Sequence, residues 1–247
     1  MVRARSRAVI PQRLRRAAWN ALAPCLRGVS SVKGVTTEQP IVALTFDDGP
    51  DPASTPRVLE LLARAGWRAT FFTLVDRAEA HPDLVAAAVS GGHEIALHGV
   101  DHTRLTGLPT TEVYRRLREG RDRLGRVSGA PVRLFRPPHG AQRMTTVAAT
   151  RAAHLLPVTW TLDSQDWQNR TPADLATRVS EHATPGAIVV LHDSLVLTEA
   201  DAPPPQASRD DIVTAVLGAL AERGFTSRTV SELLRLGPVR RTIWLRD

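Results

Sequence analysis

The stretch IVALTFDDGP, residues 41–50, decides how the rest of the sequence is organised. Its first six residues form an almost continuous apolar run, which is typical of a parallel strand buried on both faces. The run ends in Asp47, Asp48 and a Gly-Pro turn, so a core strand leads directly into a polar segment. Neighbouring residues at a strand end point in different directions, so one carboxylate is suited to bind a cation and the other to accept a proton. The alternative is that Asp-Asp-Gly-Pro is only a turn sequence.

Downstream of this stretch, short apolar runs alternate with helical segments, several of which begin near a Thr or Pro. This alternating order predicts an α/β fold with parallel strands. The predicted strands are 41–46, 69–73, 94–98, 133–135, 158–162 and 187–192. The predicted helices are 56–65, 82–90, 111–124, 146–154, 172–182 and 210–222.

Polar residues interrupt this pattern at the carboxyl ends of the predicted strands. In a βα barrel these ends share one rim, so we expect five separate segments to converge on one site. The residues concerned are Asp47, Asp48, His98, His102, Arg136, Asp163, Asp166 and His192.

His98 and His102 lie four residues apart, a spacing that places two imidazoles on one face of a helical turn. Together with one carboxylate they would supply the three ligands of an open catalytic zinc site. The chain has a single cysteine, Cys25, which excludes an intramolecular disulfide and a zinc site built on several thiolates. A chance pair of surface histidines is the alternative interpretation.

Further segments carry side chains suited to acid–base chemistry. Arg136 precedes two prolines, which hold φ near about −65° and make the turn rigid, so this cation is suited to pair with an acidic base. If Asp166 reaches the imidazole of His192, it would favour the protonated form that a general acid requires. An arginine in a surface turn and a satisfied core histidine are the structural alternatives. The remaining histidines are interpreted as structural: His81, His93, His154 and His182.

The composition limits the class of protein. With 247 residues, 43% hydrophobic and 23% charged, the chain can bury one sizeable core, and its apolar runs are shorter than a membrane helix needs. The net charge is +7, but residues 1–36 carry +8 and the remainder −1, which argues against a nucleic-acid-binding surface on the folded part. We therefore divide the chain into a basic extension, 1–36, a single domain, 37–238, and a tail, 239–247.

The extension, residues 1–36, is open to more than one interpretation. Its apolar stretch, 17–23, is short and does not match a cleavable signal peptide well. A basic amphipathic helix that makes weak contact with an anionic membrane and a solvated arm both fit the sequence.

In their order and spacing, the five polar segments resemble the polysaccharide deacetylase family, also known as carbohydrate esterase family four or the NodB-homology domain. The resemblance covers about 41–236 and implies a distorted, TIM-like (β/α)7 barrel that forms one catalytic domain. It also implies metal-dependent hydrolysis of an N-acetyl group on a sugar, which releases acetate and a free amine. A polysaccharide, peptidoglycan, a chitooligosaccharide or a small N-acetylamino sugar would each suit such a core.

The resemblance implies a role for each motif residue. Asp47 would be the general base, held by Arg136, and His192 would be the general acid, oriented by Asp166. One divalent metal, most often zinc, with cobalt, nickel or ferrous iron as other choices, would be bound by Asp48, His98 and His102. The acetyl pocket and the sugar contacts would involve His139, Trp167 and Val190.

Three positions depart from the family pattern. Gly99 stands where a Ser or Thr usually braces the metal loop, which predicts a lower metal affinity. His139 stands where Tyr is common, which changes the sugar contacts, and Val190 replaces a leucine, which removes some volume. None of the three removes a catalytic group.

Two other classes of protein stay open at this point. Asp48, His98 and His102 would also suit the two-histidine, one-carboxylate triad of a non-haem iron oxygenase, but Asp47 and His192 would then have no role. A metal-stabilised carbohydrate-binding module without turnover would bind the same sugars, although 4% aromatic residues are few for a stacking surface. 

The expected partner is an acetylated glycan or amino sugar, with no nucleic acid, and we expect a monomer. The family resemblance favours the cell envelope or the exterior. A cytoplasmic location also stays open, because residues 1–36 are not a convincing export signal.

Overall fold

Parallel strands alternate with helices through most of the chain in the computed structural model, which describes residues 27–196 and 205–246. Most of the basic extension, and with it the predicted membrane contact, lies outside the described residues. The strands are β1 (Ser31–Val35), β2 (Ile41–Asp47), β3 (Thr70–Leu74), β4 (Glu94–Gly99), β5 (Leu134–Phe135), β6 (Leu156–Pro157), β7 (Leu162–Asp163), β8 (Ile188–His192), β9 (Thr226–Ser227) and β10 (Val239–Thr242). The helices are α1 (Thr55–Ala65), α2 (Val75–Ala80), α3 (Pro82–Ser90), α4 (Thr110–Ser128), α5 (Met144–Ala152), α6 (Pro172–His182), α7 (Arg209–Glu222) and α8 (Val230–Leu233).

The central sheet is curled, and its neighbouring strands are parallel. Its order is β6-β5-β4-β3-β2-β8-β7, and β9 pairs with the start of β2. The path ends at β6 on one side and at β7 on the other, so the sheet stays open between these two strands. The predicted distorted (β/α)7 barrel is therefore confirmed, in the form of a curled half-barrel with helices.

The open side of the sheet is bridged by an antiparallel pair, β1 and β10. The backbone N–H of Thr159 donates to the carbonyl of Val32 at 2.7 Å, and that of Val35 donates to Gly186 at 2.9 Å, so β1 contacts both sides of the opening. These two strands lie in the predicted extension and the predicted tail, and their pairing was not predicted from the sequence.

The predicted strand 158–162 is wrong. The structure has β6 and β7 instead, and residues 158–161 cross the open side of the barrel between them. Val158 is fully buried and makes one isolated bridge to Val32, but the segment does not pair as a strand along its length. Helix α2 was not predicted, whereas α3 and α6 have the predicted bounds.

Alternation along β2 divides its side chains between two environments. Leu44 and Phe46 pack into a core that lies between the sheet and the outer helices α1, α6 and α7. Thr45 and Asp47 face the opposite way, into the barrel. Within the described residues, no helix is long and apolar enough to span a membrane.

Candidate active site

The carboxyl ends of five strands bring the predicted polar segments to one rim of the barrel. Asp47 is the last residue of β2, and His192 is the last residue of β8. His98 lies in β4, Arg136 directly follows β5, and Asp166 follows β7 by three residues. Because parallel strands end at the same edge, side chains that are far apart in the sequence come into contact there.

Asp48, His98 and His102 form a compact cluster at this rim. Oδ1 of Asp48 lies 3.3 Å from Nε2 of His98 and 3.3 Å from Nε2 of His102. This oxygen is buried and receives no hydrogen bond from the described residues, while Oδ2 accepts the N–H of Val196 at 3.1 Å. The three candidate ligand atoms, one from each residue, all lie within 4.8 Å of one another. A carboxylate oxygen that receives no hydrogen bond and faces two imidazole nitrogens offers the kind of ligand atoms that a divalent metal site uses.

Both imidazoles turn Nε2 towards Asp48. Nδ1 of His98 lies 3.0 Å from the carbonyl oxygen of Arg136. Since a carbonyl can only accept, Nδ1 carries a proton, and Nε2 is the nitrogen that faces Asp48. Burial lowers the pKa of His102 to about 4, although Asp48 acts to raise it, so this ring is neutral at neutral pH.

The backbone of Asp48 is held in an unusual conformation. Its φ of 75° lies in the left-handed region, which few residues other than glycine adopt. Nη1 of Arg77, in α2, donates to the Asp48 carbonyl at 3.1 Å and also contacts the Ser194 hydroxyl. Burial acts to raise the pKa of the Asp48 carboxyl, but His98 and His192 hold it well below its ordinary value.

The loop between the two histidines requires Gly99. Its φ is 127°, and a Cβ there would lie 2.7 Å from the carbonyl oxygen of Asp101. The Asp101 carboxylate accepts Nη2 of Arg116 at 2.9 Å and the N–H of Thr103 at 3.0 Å. The loop that lacks the family's usual Ser or Thr is therefore braced from α4 by Arg116.

Asp47 pairs with Arg136, which is fully buried. Nη1 of Arg136 donates to Oδ1 of Asp47 at 2.6 Å and to Oγ1 of Thr45 at 2.8 Å, and its guanidinium carbon lies 4.0 Å from the centre of the Phe72 ring. Burial lowers the pKa of Arg136, whereas Asp47 acts to raise it. The arginine therefore fixes the orientation of the Asp47 carboxylate.

Asp166 pairs with His192 on the other side of the site. Oδ1 of Asp166 lies 2.7 Å from Nδ1 of His192, and Oδ2 accepts the His192 N–H at 2.8 Å. Burial acts to lower the pKa of His192, but Asp166, with Asp48 and Asp47 further away, raises it to about 10. The imidazole is therefore protonated at neutral pH and directs Nε2 away from Asp166.

The other predicted site residues lie around this centre. Trp167 is 48% exposed, whereas Val190 is 3% exposed and has its side chain on the same face of β8 as His192. His139 has a φ of 59°, donates from Nε2 to the His102 carbonyl at 3.2 Å and lies with its ring 4.2 Å from the His102 ring. The side-chain carboxylate of Asp163 accepts the backbone N–H of Gln165.

Sequence reasoning missed several residues that support the site. Asp193 is fully buried, accepts Oγ1 of Thr55 at 2.6 Å and lies so close to Gly49 that a Cβ there would be 2.1 Å from its Oδ2. Burial raises the pKa of Asp193 to about 7. A charged residue directly after an apolar strand was a usable signal for Asp193. Arg77 and Arg209, both on helices, gave no such signal.

Comparison with known proteins assigns the class of this chain. The family model described as polysaccharide deacetylase matches residues 34–158, from β1 to the segment after β6. The chain therefore belongs to the polysaccharide deacetylase family, as the motifs predicted.

Two relatives show how the match extends. A chitooligosaccharide deacetylase of Rhizobium leguminosarum bv. trifolii is 34% identical over 197 residues, which cover 77% of this chain and 90% of that protein. The peptidoglycan-N-acetylmuramic acid deacetylase PdaC of Bacillus subtilis is 31% identical over 199 residues, or 81% of this chain. The match spans only 40% of the length of PdaC.

Solved structures share the fold. The structure of PdaC from Bacillus subtilis superposes with a TM-score of 0.70 at 28% identity, covering 82% of this chain and 93% of that chain. A mutant of a CE4 family pseudoenzyme from Bacillus anthracis, described as having restored enzymatic activity, gives a TM-score of 0.74 at 26% identity, with 85% of this chain and 73% of that chain covered. The family thus includes a protein described as a pseudoenzyme, so the side chains of each site have to be considered individually.

Proposed function

We propose that the protein is a metal-dependent hydrolase that removes acetyl groups from N-acetylated sugars. The observation that carries this proposal is the buried oxygen of Asp48, which faces His98 and His102 and has no donor among the described residues. It lies beside a carboxylate suited to be a base and an imidazolium suited to be an acid. Family membership supports the same reaction class.

Asp48, His98 and His102 would hold one divalent metal, and we expect zinc, with cobalt, nickel or ferrous iron as alternatives. The three side chains offer one carboxylate oxygen and two imidazole nitrogens and leave a position open for water or substrate. A metal bound there would polarise the acetamide carbonyl and lower the pKa of a bound water.

Asp47 would act as the general base. Arg136 holds Oδ1 at 2.6 Å, which leaves Oδ2 to take the proton of the attacking water. Because Arg136 is fully buried, the ion pair keeps a single geometry and the carboxylate does not need to reorient during the reaction. The backbone after the two prolines, near His139, would contribute a donor to the developing oxyanion.

His192 would act as the general acid. An amine is a poor leaving group unless it is protonated as the carbon–nitrogen bond breaks. Asp166 keeps the proton-bearing Nδ1 fixed at 2.7 Å, so Nε2 is the atom that delivers a proton to the departing nitrogen. The raised pKa of His192, about 10, keeps this proton in place at neutral pH.

The substrate would be an acetylated glycan or amino sugar. Val190, buried on the same face of β8 as His192, would line a small pocket for the acetyl methyl group, and Trp167, half exposed at the rim, would contact the methyl group and the sugar ring. The similarity to a chitooligosaccharide deacetylase and a peptidoglycan deacetylase supports N-acetylhexosamine units as the substrate class.

The test is release of acetate from chitooligosaccharides, peptidoglycan fragments and small N-acetylamino sugars, by zinc-loaded and metal-free protein. We expect acetate from at least one of these substrates only with metal, and a strong loss in Asp47→Asn. Sugar binding without acetate release by the zinc-loaded parent would instead support a carbohydrate-binding module without turnover. Oxygen uptake that depends on ferrous iron would support an oxygenase.

A further inference from the structure

Arg209 contacts the carboxylate that orients His192. Nη1 of Arg209 donates to Oδ2 of Asp166 at 3.0 Å, and Nη2 donates to the backbone carbonyl of Asp166 at 3.0 Å. Asp166 is 1% exposed, and the side chain of Arg209 is 11% exposed, so solvent screens this contact weakly. Arg209 begins α7, which packs mainly against α6, so the contact joins the outer helices to the rim.

One carboxylate therefore serves two cations. Oδ1 of Asp166 accepts the His192 imidazole at 2.7 Å, while Oδ2 accepts Arg209. Ser164 donates its hydroxyl to Oδ1 at 3.0 Å, so both oxygens have defined donors. A carboxylate shared in this way cannot rotate without breaking an ion pair, and its charge attracts the imidazolium less strongly than an unshared carboxylate would.

We propose that Arg209 is a positioning residue for the general acid: by sharing the Asp166 carboxylate, it fixes the orientation of His192 and loosens the hold of Asp166 on the imidazole proton. The inference rests on the proposed function, in which His192 must both carry a proton and give it to the departing amine. An acid bound too tightly to its partner carboxylate keeps the proton and is a weaker catalyst.

The effect of Arg209 on His192 can be separated from the effects of the other charges around His192. Three carboxylates favour the imidazolium form of His192: Asp166, in the loop after β7, and Asp47 and Asp48, at the end of β2. His102 lies on the side of the proposed metal ligands, and its effect on His192 is less direct. Arg209 is a cation that acts on His192 through Asp166, so its removal shifts the protonation equilibrium of His192 towards the imidazolium. Loss of this cation would raise the pKa of the imidazole.

The test replaces the cation in two ways. Arg209→Gln removes the charge and keeps an amide that can donate, and we expect the alkaline limb of kcat/KM for acetate release to move up by about 0.5 to 1 pH unit and kcat to fall about 10-fold. Arg209→Lys keeps the charge and should retain the parent's alkaline limb. The matched control is Arg178→Gln, because Arg178 donates to the backbone carbonyl of Asp163 at 3.0 Å and should not move the limb.

An NMR titration of the His192 imidazole in the metal-free protein measures the same effect without turnover. We expect the pKa of His192 to be higher in Arg209→Gln than in the parent and nearly unchanged in Arg209→Lys. An unchanged titration in a folded Arg209→Gln protein, or an equal loss of activity at every pH, would overturn the proposal. A parent that releases no acetate would contradict the proposed function, whereas a titration shift in the same protein would still show that Arg209 controls the protonation of His192.

Discussion

Two carboxylates at opposite ends of the barrel differ in how completely they are hydrogen-bonded. At the amino end, Oε2 of Glu94 accepts the Thr70 hydroxyl at 2.7 Å and the Ser231 N–H at 3.1 Å, and its other oxygen accepts the Ser231 hydroxyl. At the rim, Oδ1 of Asp48 is buried and has no donor among the described residues. Buried polar atoms are nearly always paired, so an unpaired oxygen identifies where a group from outside the chain is expected to bind.

The same contrast extends to neighbouring atoms at the rim. Nδ1 of His102, Nε of Arg136 and Oδ1 of Asp193 are also buried without a partner among the described residues. In contrast, the buried imidazole of His93, at the amino end, accepts the N–H of Ala69 at 3.1 Å. Glu94 and His93 are thus paired within the chain, whereas the rim leaves several buried polar atoms beside the site without such a partner among the described residues.

The largest expected effect comes from removing one carboxylate from each end. If the proposed function is correct, Asp48→Asn should abolish zinc binding and lower acetate release by about 10³-fold or more, with little loss of stability, because a bound metal would supply several kcal/mol of transition-state stabilisation. Glu94→Gln should leave kcat nearly unchanged and destabilise the fold by about 1 to 3 kcal/mol, because an amide N–H₂ would face hydroxyl and backbone donors.

Zinc content, acetate release and urea unfolding, measured on the same preparations, check both halves of this contrast. Asp51→Asn is the control for Asp48→Asn, because Asp51 lies in the same loop and accepts the N–H of Ala53 at 2.8 Å instead of facing the imidazoles. If Asp48→Asn bound zinc as tightly as the parent, the contrast between the two ends would be meaningless.

The next effect concerns the acid side of the rim. His192→Gln should lower amide hydrolysis by about 10² to 10³-fold, because the departing amine would lack its proton donor. The same variant should hydrolyse an aryl acetate ester nearly as fast as the parent, because a phenolate departs without protonation. Kinetics on an N-acetylated sugar and on the ester, with zinc content as the control, give the measurement. An equal loss on both substrates would show that His192 acts structurally.

A smaller effect is expected from the loop that carries the second metal histidine. Gly99→Ala places a Cβ against the Asp101 carbonyl, and Arg116→Gln removes the brace from α4, so each should weaken zinc binding by about 10 to 100-fold. A competition titration with a chelator measures this affinity without turnover. Arg115→Gln is the control, because Arg115 lies next in α4 and its ion pairs within the described part of the chain are with Glu112 and Glu119. Unchanged affinity in Arg116→Gln would show that the loop needs no external brace.

The rim could be predicted from the sequence because its signals are local. Each polar segment follows an apolar run, and parallel strands end at one edge, so Asp47 and His192 could be placed together without knowledge of the tertiary structure. The ion pair between Asp166 and His192 was expected from the residue types at this edge, whereas the ion pair between Arg136 and Asp47 was expected from the family resemblance.

Other features could not be predicted because they depend on contacts that are distant in the sequence. β1 and β10 pair although about two hundred residues separate them, and neither strand has a pattern that stands out. The segment 158–161 alternates Val158 and Trp160 with two threonines, as a strand would, yet it crosses the open side of the barrel, and periodicity alone cannot distinguish these two cases. Arg116 and Arg209 lie on helices in a sequence in which arginine is frequent, so nothing local marks them.

The smallest effect concerns His93 and tests the amino end. Burial, together with Arg68, lowers the pKa of His93 to about 4, below the ordinary value of 6.5, so the unfolded chain binds this proton more readily than the folded protein. Stability from this group is therefore complete above about pH 6.5 and is lost as the pH falls towards 4, by about 2 kcal/mol between pH 7 and pH 5. Urea unfolding at both pH values should show that His93→Gln reduces this loss, whereas His182→Gln, on an exposed imidazole, should not. If His93→Gln lost as much stability as the parent on acidification, the proton would be taken up elsewhere, and the amino end would owe its acid sensitivity to another group.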